Sequence, residues 1–313
     1  MRVLIVGPGA VGRFLAARMA LAQIPVALLD HRPERVGQIQ RHGIELTAID
    51  GRQEQVRCDV LLAGSGSEDS TPPFDIALSC VKSYDTEVAA LQAAPFLRRD
   101  AVIVPLSNGL GNVEAVGQHW PAAQVAAGTH AFGLLAAGDH AVQQTGTGFF
   151  ELAAPHDAVS AQERLPVLVD LLQQAQLQAE LAPDYGKMLW QKAAVNCVIN
   201  PIAALLQIPN GALLQLPLEP TMRAICGELV EVSHCEGIAL ELDHLFARVV
   251  GVCTATATNR CSTLVDLQMG RRTEIESLNG EVARRAEQAR IPVPLNSLLT
   301  VLVRQRECDV QAG

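Results

Sequence analysis

The sequence predicts an α/β protein: a Rossmann-type dinucleotide-binding domain over residues 1–183, followed by an all-helical C-terminal domain over residues 184–313. Three observations carry this. A β-branched run, Arg2–Val6, leads directly into Gly7-Pro8-Gly9-Ala10-Val11-Gly12 and a helical segment. Strand-like apolar runs recur through the first half, and after Pro183-Asp184 only helical periodicity is found. Finally, the segment Lys187–Leu206 is apolar almost all round yet carries Lys192, Asn196 and Asn200 at every fourth position.

Composition bounds the functional classes. A chain of 313 residues is long enough for two domains with a sizeable core. With 49% hydrophobic and 18% charged residues it is globular, not disordered. A net charge of −9 with no basic stripe argues against a nucleic-acid partner. The acidic residues are scattered, so the charge reads as solubility. No apolar run is expected to reach membrane-spanning length. Gly7-Pro8-Gly9 interrupts Met1–Val6 before a signal-like apolar region can form, so a cytoplasmic location is expected. The eight cysteines form no C-x-x-C pair and are expected to be free and mostly buried. The eight histidines are dispersed and show no metal-ligand spacing. A small-molecule substrate is therefore the partner expected, with a homodimer allowed.

In chain order, Arg2–Val6 reads as a strand, Val11–Ala22 as a helix and Pro25–Asp30 as a second buried strand. A G-x-G-x-x-G run inside such a βαβ unit is a dinucleotide-binding signal. Gly7 permits the tight turn, Gly9 lets a pyrophosphate approach the backbone, and Gly12 lets helix and strand pack closely. The helix N-terminus at Pro8-Gly9-Ala10-Val11 then meets the anion with unpaired N–H groups. Asp30 ends the second strand, where a carboxylate binds the ribose hydroxyls and repels a 2′-phosphate. His31, Arg32 and Arg35 follow, and an arginine beside the ribose can accept that phosphate. On these residues alone NAD and NADP both remain open, as does a solvated turn opening the helix Pro33–Gln40.

Short strands are expected between Gly43 and a polar surface loop, Gly64–Ser70. Ile76–Val81 and Ala101–Leu106 read as buried strands ending on Lys82-Ser83 and on Ser107-Asn108-Gly109-Leu110-Gly111-Asn112. Ligands of open parallel sheets collect outside the carboxyl ends of strands, where Lys82 and Asn108 stand; a turn role for Asn108, which precedes glycine, is the alternative. Gln124–Leu135 and His140–Leu152 look like paired strands joined by Ala136–Asp139. A helix over Ala161–Gln174 and a strand over Gln178–Leu181 close this half.

In the helical half, the spacing of four stacks Lys192, Asn196 and Asn200 along one face of a buried helix. A buried ammonium and two buried amides need partners. Two readings stand: an internal network with the lysine reaching solvent along its stem, or a site in which the lysine handles a proton while the amides fix a polar substrate. Farther on, Asn259–Gln268 and Thr273–Arg290 read as two helices separated near Gly270, which places Glu274 in a first turn where it complements the helix dipole.

Together these residues resemble the ketopantoate reductase (2-dehydropantoate 2-reductase) family over essentially the whole chain. The resemblance rests on Gly7–Gly12, Cys80–Thr86, Asn108–Asn112, Pro209-Asn210-Gly211, Asp266, Gly270-Arg271, Thr273-Glu274-Ile275 and Asn279-Gly280. Its most specific stretch is Leu189–Pro201. The resemblance implies that Lys192 is the general acid for the ketone oxygen, that Asn196 and Asn200 hold substrate, and that Glu274 binds its hydroxyl. It puts Asn259 and Ser262 near the substrate carboxylate, makes Asn210 a polar site residue, and sets Lys82 and Asn108 at the cofactor–substrate junction. The implied reaction is reduction of 2-dehydropantoate to pantoate with NADPH, in pantothenate and coenzyme A synthesis. The family has a basic residue directly after the second strand; here His31 stands there behind Asp30, which keeps NAD as the alternative cofactor, and Val265 replaces a usual glutamine. The alternative readings are a paralogous reductase of another 2-oxo acid or a non-catalytic nucleotide sensor on the same scaffold.

Overall fold

A computed structural model describes residues 1–65 and 73–312. The polar loop expected over Gly64–Ser70 lies, from Gly66 onward, outside the described residues. The chain forms two compact units, one of residues 1–107 with 112–185, the other of residues 108–111 with 186–313.

In the first unit, strands β1 (Val3–Val6), β2 (Val26–Asp30), β5 (Asp59–Leu62), β6 (Phe74–Ser79) and β7 (Leu97–Pro105) form a parallel sheet ordered β5-β2-β1-β6-β7 among the described residues. The continuous apolar runs of β1 and β2 are buried on both faces, as parallel strands covered by helices must be. Alternate residues serve opposite sides. Val3 and Ile5 join the core containing Phe14 and Leu15 of helix α1 (Ala10–Leu21). Leu4 and Val6 join the core containing Ala89, Ala90 and Ala93 of α3 (Thr86–Ala93). Because β1 has β2 on one side and β6 on the other, the order reverses there, and the carboxyl ends of β1 and β6 are where open parallel sheets bind ligands. Helix α2 (Pro33–His42) follows β2 and begins with proline at a first-turn position that tolerates it.

A second sheet, ordered β4-β3-β10-β9, combines β3 (Ile44–Thr47) and β4 (Gln53–Val56) with β9 (Gly133–Ala137) and β10 (Ala141–Gly146). A third, ordered β12-β11-β8, contains β8 (Ala127–His130), β11 (Phe149–Ala153) and β12 (Gln178–Leu181). The single long hairpin expected over residues 124–152 is therefore corrected. Each expected strand breaks once, so its first part and its second part belong to different sheets. Gly148 marks the crossing: a Cβ there would lie 2.4 Å from the Phe132 nitrogen and 2.5 Å from the Ala131 carbonyl carbon. Helices α4 (Asn112–Gly117) and α5 (Val159–Gln174) complete this unit.

The second unit contains α6 (Tyr185–Leu206, from Gly186), α7 (Glu219–Cys235), α8 (Leu242–Ala255), α9 (Ser262–Gln268), α10 (Asn279–Ala289) and α11 (Pro294–Ala312). Its core gathers Trp190, Val198 and Ile202 of α6 with Ile225, Leu229, Val249, Leu264 and Val282. By length and composition α6 could cross a membrane, which corrects the expectation that no apolar run is that long; yet 67% of its most apolar window is buried inside the protein. The expected helix Thr273–Arg290 is also corrected. It is a 3₁₀ turn, Ile275–Ser277, separated from α10 at Leu278, whose φ of −102° and ψ of −106° are incompatible with a helix.

Candidate active site

The glycine turn behaves as its spacing requires. Gly7 has φ +94°, and a Cβ there would lie 2.5 Å from Val81 Cγ1. At Gly12 a Cβ would meet the Gly7 carbonyl oxygen at 2.0 Å, so helix and turn close directly on one another. Gly9 differs: the nearest protein atom to a Cβ is Cys80 O at 3.7 Å, ordinary contact distance. The fold itself thus leaves room beside Gly9, as an approaching phosphate group requires. Pro8 and Gly9 precede α1, whose N-terminus carries no side-chain cap and no acidic residue in its first turn, leaving N–H groups of the Ala10–Gly12 turn suited to an anion.

At the end of β2, Asp30 is buried and committed. Arg35 Nε and Nη2 donate to its two oxygens at 2.5 and 2.6 Å, and the His31 backbone N–H donates to Oδ1 at 2.8 Å. Burial acts to raise the Asp30 pKa, but the Arg35 hydrogen bonds and charge, with backbone N–H groups of Arg32 and His31, hold it below the ordinary carboxylate range. Arg35 is thus an ion-pair partner of Asp30 instead of an exposed phosphate ligand, while His31 and Arg32 are exposed. Nearby, the buried Arg13 guanidinium donates to the Gly138 carbonyl at 2.7 Å. Burial first, then repulsion from Arg35, lowers its pKa to about 10. Lys82, half-buried, occupies the N-cap position of a 3₁₀ turn, Ser83–Asp85, three residues beyond β6 because that strand ends at Ser79 and not at Val81.

In the second unit the polar ladder lies on α6, with Lys192 and Asn196 half-buried and Asn200 buried. Asn196 Nδ2 donates to Asn108 Oδ1 at 3.3 Å, and Asn108 Nδ2 donates to Glu274 Oε2 at 3.0 Å. The direction of this chain is forced. An ionised carboxylate only accepts, so Asn108 must present Nδ2 to Glu274 and is left with its oxygen for Asn196. Residues from three distant parts of the sequence therefore converge one helical turn from Lys192. Glu274 is not in a helix first turn; it precedes the Ile275–Ser277 turn with its carboxylate buried against Asn108.

The remaining expected residues are placed differently. Asn210 Nδ2 donates to Thr256 Oγ1 at 2.9 Å, and the Asn210 and Gly211 N–H groups donate to the carbonyls of Asn259 and Ala257, each at 3.0 Å. These bonds fasten the Asn210–Gln215 turn to the chain leaving α8. Asn210 Oδ1 is buried with no hydrogen-bond partner. Ser262 is exposed and Asn259 half-buried. Ser262 begins α9, whose cap Cys261 accepts from Leu264 N at 3.4 Å and donates a thiol hydrogen bond to the Asn200 carbonyl at 3.5 Å. Burial pushes that thiol up to about 11, so it remains a neutral donor. The start of α9 is thereby tied to the Asn200 turn of α6. Asp266 and Arg271 pair at 3.0 Å and shape the turn toward Glu274.

Sequence reasoning missed Glu307. Its Oε1 accepts from the Thr273 N–H at 2.7 Å and from the Thr273 hydroxyl, which in turn accepts from Ile275 N at 3.2 Å. Helix α11 therefore pins the residues on both sides of Glu274. No local pattern marks Glu307, because its partner lies 34 positions away.

The chain is similar to known proteins over nearly its whole length. Residues 3–156 match the family described as Ketopantoate reductase PanE/ApbA, and residues 184–307 match Ketopantoate reductase PanE/ApbA C terminal. The 2-dehydropantoate 2-reductase of Halobacterium salinarum is 31% identical over 310 residues, covering 99% of this chain and 100% of that protein. The crystal structure of a PanE/ApbA family ketopantoate reductase from Ralstonia eutropha JMP134 has a TM-score of 0.85 at 29% identity, covering 99% and 100% of the two chains. A D-mandelate dehydrogenase structure shares the fold, with a TM-score of 0.91 at 22% identity and 99% of each chain covered.

Proposed function

We propose that this chain, which belongs to the ketopantoate reductase family, reduces 2-dehydropantoate to pantoate with NADPH, taking the proton from Lys192. The observation that carries the proposal is the hydrogen-bonded series Asn196–Asn108–Glu274 beside Lys192. It joins an amide of α6, one turn from Lys192, to a buried carboxylate, which suits recognition of a polar, hydroxyl-bearing oxo acid.

The nicotinamide, when bound, supplies the hydride. Negative charge then develops on the ketone oxygen. Lys192 Nζ stabilises that charge and delivers its proton there, replacing an oxyanion by an alcohol. Glu274 accepts a hydrogen bond from the substrate hydroxyl, while Asn108 holds its second oxygen and keeps the carboxylate oriented. Asn196 and Asn200 fix the substrate along α6, with Asn259 and Ser262 toward its carboxylate.

NADPH is supported by the state of Asp30. A carboxylate bound by two nitrogens of Arg35 is neutralised and no longer repels a 2′-phosphate, and His31 and Arg32 stand exposed at the same strand end. The test is loss of absorbance at the nicotinamide band when protein and 2-dehydropantoate are mixed with NADPH or NADH. Equal or faster loss with NADH would reject the cofactor assignment. Faster turnover of an oxo acid lacking the hydroxyl would reject the substrate assignment.

A further inference from the structure

Helix α6 contains Pro201 in its interior. Proline has no N–H, so the carbonyl four residues earlier, that of Cys197, loses its intrahelical partner, and the ring crowds that carbonyl. Cys197 and Val198 are fully buried, so water does not replace the missing donor. The donor comes from another helix: Asn279 Nδ2, at the start of α10, reaches Cys197 O at 2.9 Å.

Asn279 is held in this orientation by a relay. Its Nδ2 also donates to Asn296 Oδ1 at 2.9 Å, and Asn296 Nδ2 donates to Glu228 Oε2 at 2.7 Å. Glu228, on α7, further accepts the N–H groups of Leu295 and Asn296 at 2.8 and 2.9 Å, capping the N-terminus of α11. Because the carboxylate only accepts, Asn296 must point its amide nitrogen at Glu228 and its oxygen at Asn279, and Asn279 must point its nitrogen at both acceptors. The cost is visible: Asn279 Oδ1 is buried without a partner in a residue with no solvent exposure. Turning the amide over would satisfy neither acceptor, so the orientation serves donation alone.

We infer that Asn279 is a positioning residue for the reaction, acting through the Pro201 break in α6, and that Asn296 and Glu228 orient it. This rests on the reading of the α6 ladder as the substrate face. The break falls between the turn that carries Lys192 and Asn196 and the turn that carries Asn200. In a straight helix the third ladder residue would take its direction from regular helical rotation; here it is set by how far the Cys197 carbonyl turns out to meet Asn279.

The experiment is a double-mutant cycle of Asn279→Ala and Pro201→Ala in the full-length protein, read by thermal melting and by kinetics. In the Pro201 background Asn279→Ala leaves the Cys197 carbonyl without a donor. In the Pro201→Ala background the introduced alanine supplies a backbone N–H, and the same replacement should lower the melting temperature less, by roughly 2–4 °C. The loss of the Asn296 contact is common to both backgrounds and cancels. Pro201→Ala alone should fold and bind cofactor as the parent does while kcat for the oxo acid falls about tenfold or more, since small misplacements of a reacting geometry cost rate. Equal melting losses in both backgrounds would show that Asn279 does not serve the Cys197 carbonyl. Unchanged kcat and KM in folded Pro201→Ala would show that the break does not position the ladder. If the parent protein turns over no oxo acid, the functional reading fails instead, and the melting cycle still decides the structural half.

Discussion

Asn108 and Glu274 are 166 positions apart in the sequence, and the amide nitrogen of the first lies 3.0 Å from a carboxylate oxygen of the second. Asn108 belongs to a four-residue stretch, 108–111, that leaves the strand-bearing unit and joins the helical one. Gly109 makes this possible. Its φ is +94°, and the Leu110 N–H bonds Ser277 O at 2.8 Å immediately beside it.

Replacing Gly109 by alanine is therefore expected to be severe. A Cβ would sit 2.1 Å from Ser277 O, and the left-handed backbone alone costs about 1–2 kcal/mol for a residue with a side chain. Denaturant titration should show a larger loss than that, since the clash is with backbone and cannot be relieved by rotating a side chain. A variant as stable as the parent would mean that the 108–111 turn is not seated against Ser277.

Lys192→Ala should lower kcat by about 10²- to 10⁴-fold while cofactor affinity and melting temperature stay near their parent values. Steady-state turnover with a cofactor titration separates the two. Loss of cofactor binding with retained kcat would place the lysine elsewhere in the reaction.

Glu274→Ala should erase selectivity more than activity. The parent is expected to favour the hydroxyl-bearing oxo acid over one lacking the hydroxyl, because a site built to bond that group leaves polar atoms unpaired when it is absent. The ratio of kcat/KM for the two substrates should fall toward unity in the variant, and Asn108→Ala should move it in the same direction by less. A ratio unchanged by Glu274→Ala would remove the carboxylate from substrate recognition.

Asp30 gives a pH-dependent expectation with a fixed sign. Its pKa is lowered in the folded protein, so the Asp30–Arg35 pair stabilises the fold above the unfolded carboxylate pKa of about 3.9 and loses that stabilisation as pH falls through the lower folded value. The melting difference between parent and Asp30→Asn should be constant near neutral pH and shrink below about pH 4. Arg35→Ala should free the carboxylate, lower the NADPH-to-NADH preference and raise the relative rate with NADH. No change in that preference would dissociate the pair from cofactor choice.

Much of the fold was legible because its signals are local. The glycine spacing fixes the βαβ turn through the close approach of Gly12 to Gly7, between consecutive elements. The strand Gln178–Leu181 has the bounds its pattern implies. The ladder on α6 follows from helical rotation, which needs only spacing. Where a boundary depended on what the chain packs against, the pattern gave no guide. The hairpin over residues 124–152 splits because two sheets claim its halves, and the helix expected from Thr273 stops at Leu278 because its first residues are held by α11 through Glu307.

The amino-acid order thus determined which residues are available for chemistry: a lysine and two amides on one helical face, a carboxylate ending the second strand, and glycines where a phosphate must approach. Only the tertiary structure decided what those groups do to each other. It turned Asp30 inward onto Arg35, joined Asn196 to Glu274 through Asn108, and gave the Cys197 carbonyl a donor from another helix. The reason is that a hydrogen bond between residues tens to hundreds of positions apart leaves no periodicity in the chain, while its strength and direction depend wholly on burial and on which group faces it.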